Sequence, residues 1–278
     1  MTEPTLKILH LATESVWRGG ENQVRLLIEG SRDLPVEHHV VVRADTEPAK
    51  RFAAIGKTVT IGSSGRLDLP AAMKLVRYCR DQQISVVDAQ SSHTHNLGLL
   101  MKLQNNLLKL VVHRRVDYTP GRDWLNRFKY KSPLIDRYVA ISNAIAGILQ
   151  EYGIAAHKIA VVPSAVDPQP YMGIDRQVAK NALAAKYQVD PRLPFIGNAS
   201  ALTEQKGYEV WLEALAKTAL SGQLFHGFIA GKGHLEADLK AQAKQLGLQD
   251  KVTFMGFTDD VPGFLSGLDL MLISSHFE

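Results

Sequence analysis

Three turns stand where an extended apolar run gives way to a helical pattern, and each offers backbone amides to an anion. The first is Trp17-Arg18-Gly19-Gly20, after the run 6–11 and before a helix expected to begin near Glu21. Paired glycines let a backbone come close to an anion, and a helix N-terminus adds unbonded N–H groups and the positive end of its dipole. The same pair would equally serve a tight turn that needs positive φ. The second turn is Leu202-Thr203-Glu204-Gln205-Lys206-Gly207, after the run 195–197. Here Lys206 would set a positive charge on a diphosphate, or else be an ordinary solvated lysine. The third is Ala230-Gly231-Lys232-Gly233-His234. It holds the first two glycines of G-x-G-x-x-G, but Glu236 takes the third place, which argues against a nicotinamide dinucleotide and leaves room for a nucleotide across the turn.

Single side chains at strand ends add to this. His113 closes the run 110–113 and points to the edge where open α/β sheets bind ligands, although a lone histidine there is also a common structural residue. Asp167 and Glu278 each follow an extended run. Such a carboxylate accepts hydrogen bonds from sugar hydroxyls, or else caps a helix or lies on the surface. The sequence contains no Asp-x-Asp and no His/Cys cluster with zinc spacing, so no metal site is expected.

These residues need a scaffold that brings strand ends to one edge. The chain has 278 residues, 45% hydrophobic and 22% charged, which suits two α/β domains with cores of their own. Short apolar runs at 6–11, 39–42, 59–61, 84–88, 110–113, 138–141, 159–162, 195–197, 227–230, 252–254 and 268–273 alternate with helical patterns. Strands apolar on both faces and separated by helices imply right-handed βαβ units and doubly wound parallel sheets. Pro163, Pro168, Pro170 and Gly173 mark a break, which predicts domains at 1–166 and 167–278. The last run has no helix behind it, so the second domain is expected to be incomplete.

Cys79 is the sole cysteine and sits in a helical pattern, which predicts a buried structural thiol and no disulfide, as in a reducing cytoplasm. The N-terminus lacks the plan of a signal peptide, and no apolar run approaches the ~18 residues of a membrane span. Net charge is +4, but from Lys102 to Lys131 eight Lys or Arg face only Asp117 and Asp123. That basic stretch, from Arg114 to Lys131 above all, is interleaved with Tyr118, Trp124, Leu125, Phe128 and Tyr130. It predicts contact with an anionic surface such as membrane headgroups, or an anionic soluble acceptor at Arg114 and Arg115.

The order of these pieces resembles the GT-B retaining glycosyltransferases of family 4. Gly19-Gly20 matches the family's glycine turn, and Val111-Val112-His113 its strand ending in His. Val139-Ala140-Ile141-Ser142 and Val161-Val162-Pro163-Ser164-Ala165-Val166-Asp167 match its next two segments. Lys206-Gly207, Gly231-Lys232-Gly233, Val252-Thr253-Phe254-Met255-Gly256 and the stretch from Asp269 to Glu278 follow in the family's order. The resemblance implies two Rossmann-like domains, the first on the acceptor side and the second binding a nucleotide sugar.

By the same resemblance, Gly19 and Gly20 would meet the donor diphosphate and Lys206 would neutralise it. His113 would face the donor sugar and acceptor, and Glu278 would bind the donor sugar. Gly231 and the stretch Met255 to Phe257 would line the nucleotide pocket. The implied donor is a UDP- or GDP-sugar, with no further cofactor. The implied acceptor is a glycan or a lipid-linked hydroxyl in cell-surface glycan or lipopolysaccharide synthesis, and no nucleic acid is expected as a partner. The protein would act in the cytoplasm, at most peripheral to the membrane. Three departures stand out: Ala201 where the family has Arg, Gln90 where it has His, and Ala165 where it has Gly. Part of the donor site would lie beyond Glu278, so the chain as it stands is expected to be inactive. A nucleotide-sugar epimerase of the same plan, and a non-catalytic nucleotide-binding module, are the alternatives.

Overall fold

The computed structural model describes residues 5–62 and 68–277. The chain divides into two compact units, Met1–Val166 and Asp167–Glu278. In the first, β1 (Leu6–Leu11), α1 (Gly19–Gly30), β2 (Val36–Arg43), α2 (Glu47–Ala53), β3 (Lys57–Ile61), α3 (Leu69–Gln82) and β4 (Val86–Ala89) come first. They are followed by α4 (Ser92–Gln104), β5 (Lys109–Arg114), α5 (Trp124–Tyr130), β6 (Arg137–Ala140), α6 (Asn143–Glu151) and β7 (Ile159–Val161). The strands form one seven-stranded sheet in the order β3-β2-β1-β4-β5-β6-β7. All its pairings are parallel.

The pleat explains why these strands are apolar throughout. Successive residues of a strand face opposite sides of the sheet. Val41 packs with Leu9, Leu75, Val76 and Cys79 under α3, while its neighbours Val40 and Val42 pack with Val24 and Ile28 of α1 and with Phe52. Val24 and Ile28 are four residues apart, one helical turn, so α1 presents a narrow apolar stripe to the sheet. Each such buried aliphatic side chain contributes about 1.5–3 kcal/mol of transfer free energy. Cys79 is buried in this core, and desolvation pushes its thiol up to about 12, so it is a packing group.

The second unit runs α7 (Arg176–Tyr187), β8 (Phe195–Ala199), α8 (Tyr208–Leu220), β9 (His226–Ala230), α9 (Glu236–Gln245), β10 (Val252–Gly256), α10 (Val261–Ser266) and β11 (Leu270–Met271). Its sheet has four strands in the order β10-β9-β8-β11, again parallel. Tyr208, Trp211, Leu212 and Leu215 of α8 recur at helical spacing and bury one face of this sheet. Leu183, Phe264 and Leu268 cover the other face, against Phe195 and Phe228. Among the described residues no helix is long and apolar enough to cross a membrane.

Two local features differ from the sequence reading. The helix α1 begins at Gly19, not near Glu21, so both glycines lie in its first turn and neither has a positive φ. The last strand is the pair Leu270–Met271 instead of the longer run 268–273. Leu268 closes the turn after α10, and Ser274 bends away so that its Oγ donates to the Lys206 carbonyl at 3.2 Å.

Candidate functional site

Each sheet has one place where the strand order reverses, and open α/β sheets bind ligands there, beyond the carboxyl ends of the strands. In the first unit that place is between β1 and β4. Here His10 and Asp88 are register partners. Nδ1 of His10 donates to Asp88 Oδ2 at 2.6 Å, and Gln90 Nε2 donates to the same oxygen. Nε2 of His113, from the adjacent β5, lies 2.8 Å from Asp88 Oδ1, off the line of a well-aligned hydrogen bond. The network continues from His10 Nε2 to His38 Nδ1 at 2.9 Å, and from His38 Nε2 to Ser31 Oγ at 2.7 Å.

The charge states follow from this burial. Desolvation pushes the Asp88 carboxyl up, but His113 and His10 outweigh it and hold the group well below the usual carboxylate range. Burial first, and then the neighbouring His10, lower His38 to about 4. On its other side His113 presents Nδ1 to an Arg115 amino group at 3.4 Å. A guanidinium only donates, so Nδ1 is the acceptor and the ring proton of neutral His113 sits on Nε2, toward Asp88. The imidazole thus lies between Asp88 on one side and Arg115 on the other.

His113, Gln90 and Arg115 form a wall shared by two cavities. One, of about 310 Å³, is also lined by Gly20 and by the polar side chains of Arg18, Glu21 and His95. The other, of about 330 Å³, is lined by apolar residues including Leu27, Leu34, Ile141 and Val162. Gly20 and His113 therefore reach the same cavity. The N-terminus of α1 opens on this side, and a Cβ on Gly19 or Gly20 would meet nothing within 4 Å. Neither backbone conformation nor packing requires glycine at these positions, and the space beside the pair is open. Glu21 tethers the turn by accepting from the Arg18 amide at 3.2 Å, and burial pushes its carboxyl up.

In the second unit the order reverses between β8 and β11. Lys206 lies there, on the turn into α8. Gly207 has φ +58°, and a Cβ on it would stand 2.2 Å from the Ser274 carbonyl oxygen. Gly231 donates its amide to the Gly256 carbonyl at 2.8 Å, which sets it beside Met255 and Phe257. Its own glycine requirement is internal, since a Cβ would stand 1.9 Å from the Ser200 carbonyl oxygen. Met255 packs against the core around Leu183 and Phe264, whereas the Phe257 side chain is exposed. Asp167 Oδ1 accepts from the Gln169 amide at 3.0 Å, a local cap. Glu278 lies outside the described residues. Among the described residues no group of three or more His, Cys, Asp and Glu side chains is arranged to hold a metal ion.

The sequence reading overlooked Asp88, His10 and His38, and took Arg115 as part of a charge run that meets an anionic surface or, with Arg114, an anionic soluble acceptor. The available signal was a charged or ionisable residue inside a strand that is otherwise apolar on both faces. The basic stretch also divides in three dimensions. Lys102 and Lys109 pair with Asp136 at 3.0 and 3.3 Å, and Arg114 is buried. Arg122, Arg127 and Lys131 are exposed around α5, where Trp124 is 75% and Phe128 74% exposed.

The sequence model described as Glycosyltransferase Family 4 matches residues 17–170, and that of Glycosyl transferases group 1 matches residues 179–278. The 2-deoxystreptamine glucosyltransferase of Streptomyces kanamyceticus is 31% identical over 132 residues, covering 46% of this chain and 33% of that protein. The lipopolysaccharide core biosynthesis glycosyltransferase LpsE of Rhizobium meliloti is 30% identical over 108 residues, covering 39% of this chain and 30% of that protein. These matches thus span about a third of each curated relative. Among solved structures, Anabaena Alr3699/HepE in complex with UDP superposes with a TM-score of 0.80 at 20% identity, covering 97% of this chain and 74% of that one. At that identity the likeness establishes the fold, two Rossmann-like parallel sheets of the GT-B type.

Proposed function

Because this chain belongs to glycosyltransferase family 4, we propose that it transfers a sugar, with retention, from a nucleotide-diphosphate sugar to a hydroxyl of a glycan or lipid-linked acceptor in cell-surface glycan synthesis. The carrying observation is the open N-terminus of α1: two glycines with no structural need to be glycine, on the cavity that His113 lines. The UDP of the HepE complex supports a uridine donor, with a GDP-sugar as the alternative. The names of the curated relatives support a sugar-transfer reaction, and LpsE supports a lipopolysaccharide-like acceptor.

In this reading residues 1–166 serve the acceptor side and residues 167–278 bind the nucleotide sugar. Gly19 and Gly20 give backbone amides to the donor diphosphate, and His113 holds the edge of the transferred sugar. In the second unit Lys206 neutralises the diphosphate, Gly231 with Met255 and Phe257 borders the nucleotide, and Glu278 binds the sugar hydroxyls. The acceptor oxygen bonds to the anomeric carbon as the bond from that carbon to the diphosphate oxygen breaks. The electron pair leaves with the diphosphate, and the acceptor proton passes to the departing phosphate. Preorganised donors aimed at that growing charge are worth ~3–4 kcal/mol each in such reactions. Catalysis takes place in the cytoplasm, with the α5 region of the first unit resting on an anionic membrane.

The test is Lys206→Ala in the full-length enzyme, assayed with a panel of UDP- and GDP-sugars. A cation on the leaving group matters more as charge develops, so both donor affinity and turnover fall. An unchanged kcat/KM for donor would make Lys206 a surface residue and remove it from the site.

A further inference from the structure

We propose that the cavity of the first unit lined by His95 and Tyr130 holds an oxyanion of the acceptor, a phosphate or carboxylate, against Arg114, Arg115 and the N-terminus of α4. The proposal rests on the glycosyltransferase reading and specifies the chemistry of its second substrate. The cavity, about 310 Å³, is large enough for such a group with part of its carrier.

The first observation is a pair of guanidinium groups that make no direct ion pair, although the fields of Asp88 and Glu21 reach Arg115. Arg114 is 5% exposed. It donates to neutral oxygens, the Tyr130 hydroxyl at 3.0 Å and the Tyr118 carbonyl, and its charge lies 4.7 Å from the centre of the Tyr118 ring. Arg115 donates to Gln90 Oε1 and approaches His113. Burial lowers its affinity for the proton, and Asp88, whose field reaches it, is already engaged by His10, Gln90 and His113. Among the described residues no carboxylate lies within ion-pair distance of either arginine. Nε of each is buried with no hydrogen-bond partner. Buried charges are normally paired and buried donors normally satisfied, so two cations lining one cavity, each with an unpartnered Nε, call for an anion.

A second, independent observation is His95. It is 1% exposed, it lines the same cavity, and its Nε2 has no hydrogen-bond partner. Its ring stands edge-on to Tyr130, with centroids 5.2 Å apart. Desolvation lowers His95 to about 3, so at neutral pH the ring is uncharged and can offer Nε2–H as a donor. The 13-residue helix α4 starts on this wall, with Ser91 and Ser92 lining the cavity and the positive end of its dipole toward it. The acids on the cavity are Glu14 and Glu21. Glu21 is tied to the Arg18 amide at 3.2 Å.

The test uses the whole chain and two probes, inorganic phosphate and UDP, each titrated alone and then together, read from arginine Nε–H and histidine side-chain NMR signals. Phosphate is expected to shift the Arg114, Arg115 and His95 signals saturably, and to keep doing so when UDP is saturating. Arg115→Gln is expected to weaken phosphate binding by about tenfold or more. Arg115→Lys should restore only part of it, because a point charge cannot replace the planar fork. If phosphate gives no saturable shift, if it is displaced competitively by UDP, or if folded Arg115→Gln binds it like wild type, the acceptor-anion site is wrong. Competition by UDP would return the cavity to the donor diphosphate. Wild-type protein that binds phosphate but not UDP would instead overturn the donor reading, and with it the assignment of the anion to an acceptor.

Discussion

The carboxylate of Asp88 and the imidazole of His113 stand on adjacent strands with Asp88 Oδ1 and His113 Nε2 2.8 Å apart. The first is buried, and the second reaches the wall of both cavities of its unit. A buried charge of this kind is tolerated because its partners are already in place. It sets the side of the imidazole that faces inward and so the side left to face a ligand.

Asp88→Asn keeps the shape and removes the charge. Its amide nitrogen cannot accept from His10 or His113, so one of the two rings is left facing a donor. We expect a loss of about 1–3 kcal/mol in urea denaturation. We also expect exchange between the two tautomers of His113, visible in its ring 15N shifts. A variant as stable as wild type, with unchanged ring shifts, would show that the network contributes nothing.

Acid should loosen this unit in two stages. His38 titrates near 4 in the folded protein, below its ordinary 6.5, so protons bind the unfolded chain first. Its contribution to stability is whole above pH 6.5 and is lost as pH falls to about 4. Asp88 is depressed as well, so its contribution is whole above the unfolded value of ~3.9 and is lost as pH falls further. Denaturation midpoints measured from pH 7 to 4 should fall less steeply for His38→Gln than for wild type. Equal slopes would remove His38 from the account.

The glycines should separate by role. Gly19→Ala and Gly20→Ala add a methyl to open space in a helical turn, so stability should hold or rise by roughly 0.5–1 kcal/mol while donor binding falls. Gly231→Ala puts a Cβ 1.9 Å from the Ser200 carbonyl oxygen at φ +154°, and should destabilise by about 1–3 kcal/mol. Thermal denaturation alongside UDP calorimetry distinguishes the two classes. A large loss of stability in the first pair would make those glycines structural.

The exposed aromatic face of α5 should meet anionic lipid. Trp124, Leu125 and Phe128 are exposed beside Arg122, Arg127 and Lys131, a mixture suited to the headgroup boundary. Each cation near such a surface is worth ~1 kcal/mol. Co-sedimentation with anionic vesicles at low salt should succeed for wild type. It should fail for the variant with Arg122, Arg127, Lys129 and Lys131 changed to Gln. Equal binding by both proteins, or none by either, would reject the contact.

What the sequence determined by itself was local. Apolar runs separated by helical stripes dictate parallel strands covered on both faces, because no other arrangement buries them. All the expected strand positions, from Leu6–Leu11 to the short pair Leu270–Met271, are occupied by strands. The placing of the glycine turns, Lys206 and His113 at strand ends was legible for the same reason, since each directly follows or ends such a run. Asp88 was not legible as a site residue, because a lone carboxylate at the end of an apolar strand says nothing about its neighbours. Only the strand order β2-β1-β4-β5 sets His38, His10, Asp88 and His113 side by side, from positions 38, 10, 88 and 113 of the chain. The basic stretch likewise read as one feature along the chain. Tertiary packing turned Arg114 inward and left Arg122, Arg127 and Lys131 outside, since a strand end and a loop helix face different surroundings however near they are in sequence.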